Sequence, residues 1–261
     1  MSHHIVEAKE LAFTYPDGTK ALDGVSFRIV HGESVAIVGA NGAGKSTLLL
    51  HLAGCLTPTG GSLRVGDAFV TRATLAAVRR AVGMVFQDPD DQLFMPTVFE
   101  DVAFGPANQG LPPDEVEARA SRALGAVGAA HLRDRPPYRL SGGEKRRVAI
   151  AAVLSMSPDV LALDEPAAGL DPRSRRQLIA LLVRFPHTKI IATHDLDLAL
   201  DLCERTIVMR DGRVAVDGPT AALLRDRALL HDNGLEPPLR LQACPVCVDF
   251  RKGGGGEGSG T

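Results

Sequence analysis

Ser34-Val-Ala-Ile-Val38-Gly39-Ala40-Asn41-Gly42-Ala43-Gly44-Lys45-Ser46-Thr47 is a short apolar run, a glycine-rich loop and the opening of a helix. The run Ser34–Val38 reads as a buried strand, and Lys45–Ala53 as a helix. Residues 39–46 fit the pattern G-x-x-x-x-G-K-[ST] at the strand-to-helix junction that this pattern requires. The physical reading is a phosphate cradle. Glycines let the backbone wrap an anion and aim N–H groups at it. The helix N-terminus adds positive potential. Gly39, Ala40, Asn41, Gly42, Ala43, Gly44, Lys45, Ser46 and Thr47 are therefore candidate phosphate-binding residues. Lys45 is expected to reach the β- and γ-phosphates, and Ser46 to ligate Mg²⁺. The plainer alternative is an ordinary strand–turn–helix connection.

Working outward, Val160-Leu-Ala-Leu163-Asp164-Glu165 is a second apolar run, and it ends in two acids. A strand buried on both faces reads as continuous apolar sequence, so the acids fall at its C-terminal edge. That is where open α/β sheets bind ligands. Asp164 suits Mg²⁺, reached through water. Glu165 suits the polarisation of an attacking water. Lys189–Thr193 is a third apolar run. This alternation of strand, loop and helix predicts a parallel sheet covered by helices.

The flanking regions differ. Residues 1–33 read as short strands and turns, with Phe13-Thr-Tyr15-Pro-Asp-Gly18 ending one strand and Val25–Val30 alternating like a half-buried one. From Thr97 to Ser157 the pattern is helical, with Asp114–Val127 amphipathic and Gly143–Met156 apolar on one face, as expected of a helical subdomain inserted at about residues 90–157. Ala221–His231 reads as one helix, broken beyond by Pro237-Pro238. Gly253–Gly260 is glycine-rich and expected to be disordered. The division expected is one nucleotide-binding domain over residues 1–235 and a tail over 236–261.

Composition narrows the class. The 261 residues are 45% hydrophobic and 23% charged, with 29 Lys+Arg against 31 Asp+Glu. A formal charge of −2 excludes a strongly basic nucleic-acid binder, and 4% aromatics with no Trp speak against a base-stacking platform. The longest uncharged stretch, Ser46–Leu63, carries Ser, Thr, His, Gly and Pro throughout, so it is not a spanning helix. Met1–Glu10 has no apolar signal region, and a cytoplasmic location is expected. Cys55, Cys203, Cys244 and Cys247 are scattered and read as reduced thiols. Cys244-Pro-Val-Cys247 has the spacing of half a zinc site or a redox pair, but no second pair lies near it.

A third segment chooses among nucleotide hydrolases. Leu140-Ser141-Gly142-Gly143-Glu144-Lys-Arg-Arg147 precedes an apolar helix. Ser141, Gly142 and Gly143 offer N–H groups and a hydroxyl at a helix N-terminus. The same residues also form an ordinary Ser N-cap with Glu144 closing a capping box. With this segment the chain resembles the ATP-binding-cassette ATPases over roughly residues 5–235. Gln87 matches that family's glutamine loop, Gly169-Leu170-Asp171 its D-loop and His194 its switch histidine. Tyr15 stands where the family stacks an aromatic on adenine. Plainer readings make Tyr15 a turn aromatic, Gln87 a surface loop residue and His194 a strand-end cap.

The resemblance implies an α/β P-loop NTPase of the ABC type, with a RecA-like core, a small antiparallel β subdomain and an inserted helical subdomain. It implies ATP and Mg²⁺ as cofactors and a second cassette, identical or related, facing the first head to tail. Ser141 and Gly143 would then close on the γ-phosphate held by the partner's loop. His194 would sense that phosphate, Gln87 would contact Mg²⁺ or the water, and Asp171 would couple the two sites.

Gln87-Asp-Pro-Asp90-Asp91-Gln92-Leu-Phe94, Thr97-Val-Phe-Glu-Asp-Val-Ala-Phe-Gly105-Pro106 and the run from Leu140 to Ile150 resemble the ATPase subunits of energy-coupling-factor importers of the cobalt/nickel type. That implies a transmembrane energy-coupling partner docking near Gln87 and Asp88–Phe94. It also implies a peripheral position on the cytoplasmic side of the membrane, and transition-metal or vitamin cargo. The alternatives are a soluble cassette acting on ribosomes or DNA, which usually carries two cassettes or a long coiled coil, and a small-molecule kinase, which would lack the Leu140–Gly143 segment.

Overall fold

The computed structural model describes residues 4–242. The chain begins with β1 (His4–Thr14), β2 (Lys20–Val30), β3 (Ser34–Val38) and α1 (Lys45–Leu52). There follow β4 (Gly60–Val65), β5 (Ala68–Phe69), α2 (Leu75–Ala81) and β6 (Val82–Val85). A helical stretch comes next, with α3 (Val98–Asn108), α4 (Pro113–Ala126) and α5 (Gly142–Leu154). The chain then returns to alternation with β7 (Val160–Asp164), α6 (Pro172–Val183), β8 (Thr188–Thr193) and α7 (Leu196–Leu202). It closes with β9 (Arg205–Arg210), β10 (Arg213–Pro219), α8 (Thr220–Leu223) and α9 (Arg227–Asp232).

Two sheets result. One is antiparallel, in the order β2-β1-β4-β5. The other runs β10-β9-β3-β8-β7-β6, parallel from β9 to β6 with β10 antiparallel at one edge. Strand alternation explains why the central strands of the second sheet are apolar on both faces. Val35 and Ile37 of β3, Val160 and Ala162 of β7 and Ile190 and Ala192 of β8 face a core shared with the antiparallel sheet and α1. Ala36, Val38, Leu161, Leu163 and Ile191, one position over, face a second core shared with α3, α4, α5 and α7. Successive side chains point to opposite faces, so both faces must be covered, and the polar residues of these three strands, Ser34, Asp164, Thr188, Lys189 and Thr193, fall at the strand ends.

Three expectations change in detail. Residues 4–30 form two strands of 11 residues each, where short ones were expected. Register shifts lie between Ala8 and Leu11, and Glu10 adopts φ 48 beside Gly24 at φ 74, so a bulge carries the strand through its polar middle. Residues 221–231 are two helices instead of one. The Asp226 carboxylate accepts the N–H of Leu229 and starts α9 afresh. The main sheet is mixed, because β9 and β10 form a hairpin at its edge. Cys244, Cys247 and the glycine-rich Gly253–Gly260 lie outside the described residues.

Candidate functional site

The C-terminal ends of β3, β8 and β7 lie side by side, with Val38 opposite Thr193 and Asp164 opposite Ala192. That register brings the Gly39–Thr47 loop, Asp164-Glu165 and Thr193-His194 to one sheet edge. Gly44 is the N-cap of α1, with φ 99. A Cβ there would stand 2.5 Å from the carbonyl oxygen of Ala21, and one on Gly39 would overlap the carbonyl of Met209. The loop is thus pressed against two neighbouring strands, and only glycine permits the approach.

A cleft of about 430 Å³ opens over the loop, lined by Tyr15, Asn41, Gly42, Gly44, Lys45, Ser46, Thr47, Gln87, Glu165 and His194. Thr19, Lys20 and Ala21 also line it; sequence reasoning missed them, since nothing in a turn signal marks a binding wall. Tyr15 packs on the core, as its plainer reading had it, and also lines the cleft. It packs edge-on against Phe13, with ring centroids 4.9 Å apart, and its hydroxyl meets Thr47 Oγ1 at 3.1 Å on the cleft wall.

Lys45 is buried, and its Nζ donates to the carbonyl oxygens of Gly39 at 2.8 Å and Ala40 at 3.1 Å. Burial pulls its pKa down, and the charges of Glu165 and Asp164 pull it back up. Asp164 is also buried, and its carboxyl is pushed above the usual range, chiefly by desolvation and against the Ser46 hydroxyl. Its Oδ1 has no hydrogen-bond partner among the described residues. A buried, unpaired carboxylate oxygen beside a lysine and a serine is costly unless something cationic completes it.

Glu165 adopts φ 44, a left-handed conformation that is costly for a residue with a Cβ. Its N–H donates to Ala192 O at 2.9 Å. The carboxylate is held from three sides. Oε2 accepts from Thr193 Oγ1 at 2.9 Å, and Oε1 accepts from the His194 backbone N–H at 2.9 Å. His194 Nδ1 stands 2.7 Å from the same Oε1 while most of its ring faces outward. With the carboxylate ionised, Nδ1 carries the proton. The sequence singled out Glu165 and His194 separately; Thr193, which joins them, was missed.

Gly39, Ala40 and Ala43 belong to the loop without lining the cleft, and four further expected binding residues are elsewhere. Ser141, Gly142, Gly143 and Asp171 do not line the cleft. Ser141 caps α5 in a full capping box with Glu144, as its plainer reading had it. Gly142 borders a different hollow of about 500 Å³, together with Gln87, Asp88 and Gly169-Leu170. Asp171 caps α6, accepting from the Ser174 hydroxyl at 2.6 Å, Ser174 N at 3.1 Å and Arg173 N at 2.9 Å, and these donors, the hydroxyl foremost, hold its carboxyl below the usual range.

Arg146 is a further residue that sequence reasoning passed over. It is buried on α5 and donates to Phe86 O at 2.8 Å and Gln87 O at 2.6 Å. Gln92 Nε2 reaches back to Ala149 O at 2.7 Å, and Lys145 pairs with Asp90 at 2.6 Å. The Gln87 loop is therefore strapped to the helix that Ser141 opens. The only clue in sequence was a cationic residue on the otherwise apolar face of that helix.

Gln92 and Phe94 line another concavity, a groove of about 640 Å³ between α2, β6, α3 and α5. Phe94 and Phe104 are exposed on it, with ring centroids 5.1 Å apart. Gln87 lines the cleft, and Phe86, the residue before it, lines this groove. Among the described residues, no helix is long and apolar enough to cross a membrane, and no three His, Cys, Asp or Glu side chains are grouped to hold a metal ion.

Known proteins share this architecture. The family model described as ABC transporter matches residues 22–168. A Geobacter sulfurreducens protein, provisionally named an ABC transporter ATP-binding protein, is 68% identical over 95% of this chain and 99% of its own length. The cobalt import ATP-binding protein CbiO of Rhodobacter capsulatus is 51% identical, over 90% of this chain and 86% of its own. The solved structure of CbiO1 from Clostridium perfringens, part of the ABC transporter complex CbiONQ, superposes with a TM-score of 0.79 at 40% identity, covering 96% of this chain and 99% of that one. This chain belongs to the ABC transporter family, as an ATP-binding and ATP-hydrolysing cassette.

Proposed function

We propose that the chain is the ATPase subunit of an energy-coupling-factor importer for cobalt or nickel ions, working as one half of a cassette pair peripheral to the cytoplasmic face of a membrane. The observation that carries the pairing is the separation of the site. Lys45, Glu165 and His194 line the cleft, whereas Ser141, Gly142 and Gly143, at the start of α5, lie outside it, the first two of them exposed. A head-to-tail pair, identical or related, would bring each such segment onto the other chain's γ-phosphate. ATP then favours the closed pair because it binds that state better, and its cleavage releases the pair.

In this reading the backbone of Gly39–Thr47 and Lys45 hold the phosphates, and Tyr15 stacks on the base. Glu165 takes the proton of the attacking water. His194, anchored on Glu165 Oε1, meets the γ-phosphate, and Asp171 links the two sites. The residues suit Mg²⁺: Ser46 and Gln87 would hold it, with Asp164 and its unpaired Oδ1 reaching it through water. When bound, the ion neutralises charge on the phosphate oxygens.

Support for a membrane partner comes from the groove at Phe94 and Phe104, an apolar trough open to receive a short helix. The Rhodobacter relative's name supports import and supports cobalt. The test has two parts. Glu165→Gln, loaded with ATP and Mg²⁺, should run as a dimer by light scattering and lose at least 100-fold in turnover, since positioned general bases supply about 10²–10⁴-fold. A strictly monomeric protein, or turnover at the parental rate, rejects the mechanism. Uptake of radioactive cobalt or nickel by vesicles holding the complex tests the cargo; uptake of a vitamin alone would replace the metal reading.

A further inference from the structure

Glu165 is worth little as a base unless its carboxylate holds one direction, and one hydroxyl is what holds its Oε2. We infer that Thr193 is the positioning residue for Glu165, an inference that rests on Glu165 being the base. Thr193 ends β8 and is 1% exposed. Its Oγ1 donates to Glu165 Oε2 at 2.9 Å and accepts the Asp195 N–H at 3.0 Å. A hydroxyl has a single proton. With the Asp195 N–H on its acceptor side, the hydroxyl is left to give that proton to the carboxylate.

The far side of this contact is itself rigid. Asp195 is the N-cap of α7 and accepts from Leu198 N at 2.9 Å. Its carboxylate also pairs with Arg175 of α6 at 3.1 Å, and Arg175 reaches Asp201 at 3.4 Å. The Thr193 hydroxyl is thus clamped between the N-terminus of α7 and the carboxylate. Oε1 already receives two donors from His194. Thr193 is the one protein donor to Oε2 among the described residues, and it fixes the carboxylate plane while leaving Oε2 a lone pair for the water. The left-handed backbone of Glu165 makes this support necessary, because a strained residue holds its place only when its neighbours over-determine it.

Thr193→Val keeps the shape and removes the hydroxyl. Thr193→Ser and Thr193→Ala form a second pair that differs in the hydroxyl alone and serves if the valine variant does not fold. Steady-state ATPase is measured on each, with Glu165→Gln and the double variant Glu165→Gln/Thr193→Val alongside. The expected result is a loss of tenfold or more in kcat for Val and Ala, about 1.4 kcal/mol, with KM for ATP within twofold of the parent. Serine should restore kcat to within threefold. In the Glu165→Gln background, Thr193→Val should change the residual rate less than twofold, because the two residues act as a unit. A kcat within twofold of the parent for Val or Ala overturns the inference, and so does a loss shared equally by kcat and KM. A full second loss in the double variant does the same. Parental turnover in Glu165→Gln removes the base and Thr193's role together; low turnover there with normal turnover in Thr193→Val removes Thr193's role alone.

Discussion

Gly44 stands at φ 99, and its α-carbon faces the carbonyl of Ala21 closely enough that a Cβ would approach to 2.5 Å. Gly44→Ala should therefore cost about 1–3 kcal/mol of stability from strain alone. It should also displace the N–H groups that open α1. The expected outcome is a fall in Tm of about 5 °C and at least tenfold weaker ATP binding, checked by thermal denaturation with and without nucleotide. At this scale the sequence was informative wherever chemistry forces a residue type at a fixed spacing. Gly39, Gly44, Lys45, Asp164 and Glu165 could be read because phosphate binding demands glycines, a lysine and strand-end acids in that arrangement. Thr193 could not, since a threonine ending a β-strand is what β-propensity alone would place there.

The elements tell a similar story. β3, β7 and β8 were legible because strands buried on both faces are continuous apolar runs, and α5 because its capping box and apolar face coincide. The length of β1 and β2 was hidden by a bulge at Glu10, which looks like a strand end in sequence. The break between α8 and α9 was hidden because one capping aspartate divides an otherwise periodic stretch. How α5 holds the Gln87 loop was also illegible, since Arg146 and Gln87 are 59 residues apart. Arg146→Leu leaves the carbonyls of Phe86 and Gln87 without their donor in a half-buried place. Hydrogen bonds from a charged group contribute about 1.5–3 kcal/mol each. The urea midpoint should fall accordingly, with turnover falling as the Gln87 loop loosens. Arg146→Lys should recover only part of both, because an ammonium lacks the planar fork that reaches two carbonyls.

At the scale of the whole molecule, the cleft and the groove are separate surfaces joined by that strap. Phe86 lines the groove and offers its carbonyl to Arg146, while Gln87, the next residue, lines the cleft. A partner helix pressed onto the groove would thus bear on the residue beside the nucleotide, without touching the nucleotide itself. Phe94 is 63% exposed on the groove and edge-on to Phe104. Two exposed aromatic rings meeting at right angles form an apolar patch that docking would bury, and a charge placed there would have to be desolvated on docking. Phe94→Asp should therefore abolish co-purification with the membrane subunit. ATP-driven dimerisation and turnover of the isolated chain should stay within twofold, since Phe94 lines the groove and not the cleft. Pull-down from detergent-solubilised membranes, run beside light scattering and ATPase assays on the same preparation, separates these outcomes. Retained co-purification would move the docking surface off the groove, and lost dimerisation would mean that the groove also shapes the cassette pair.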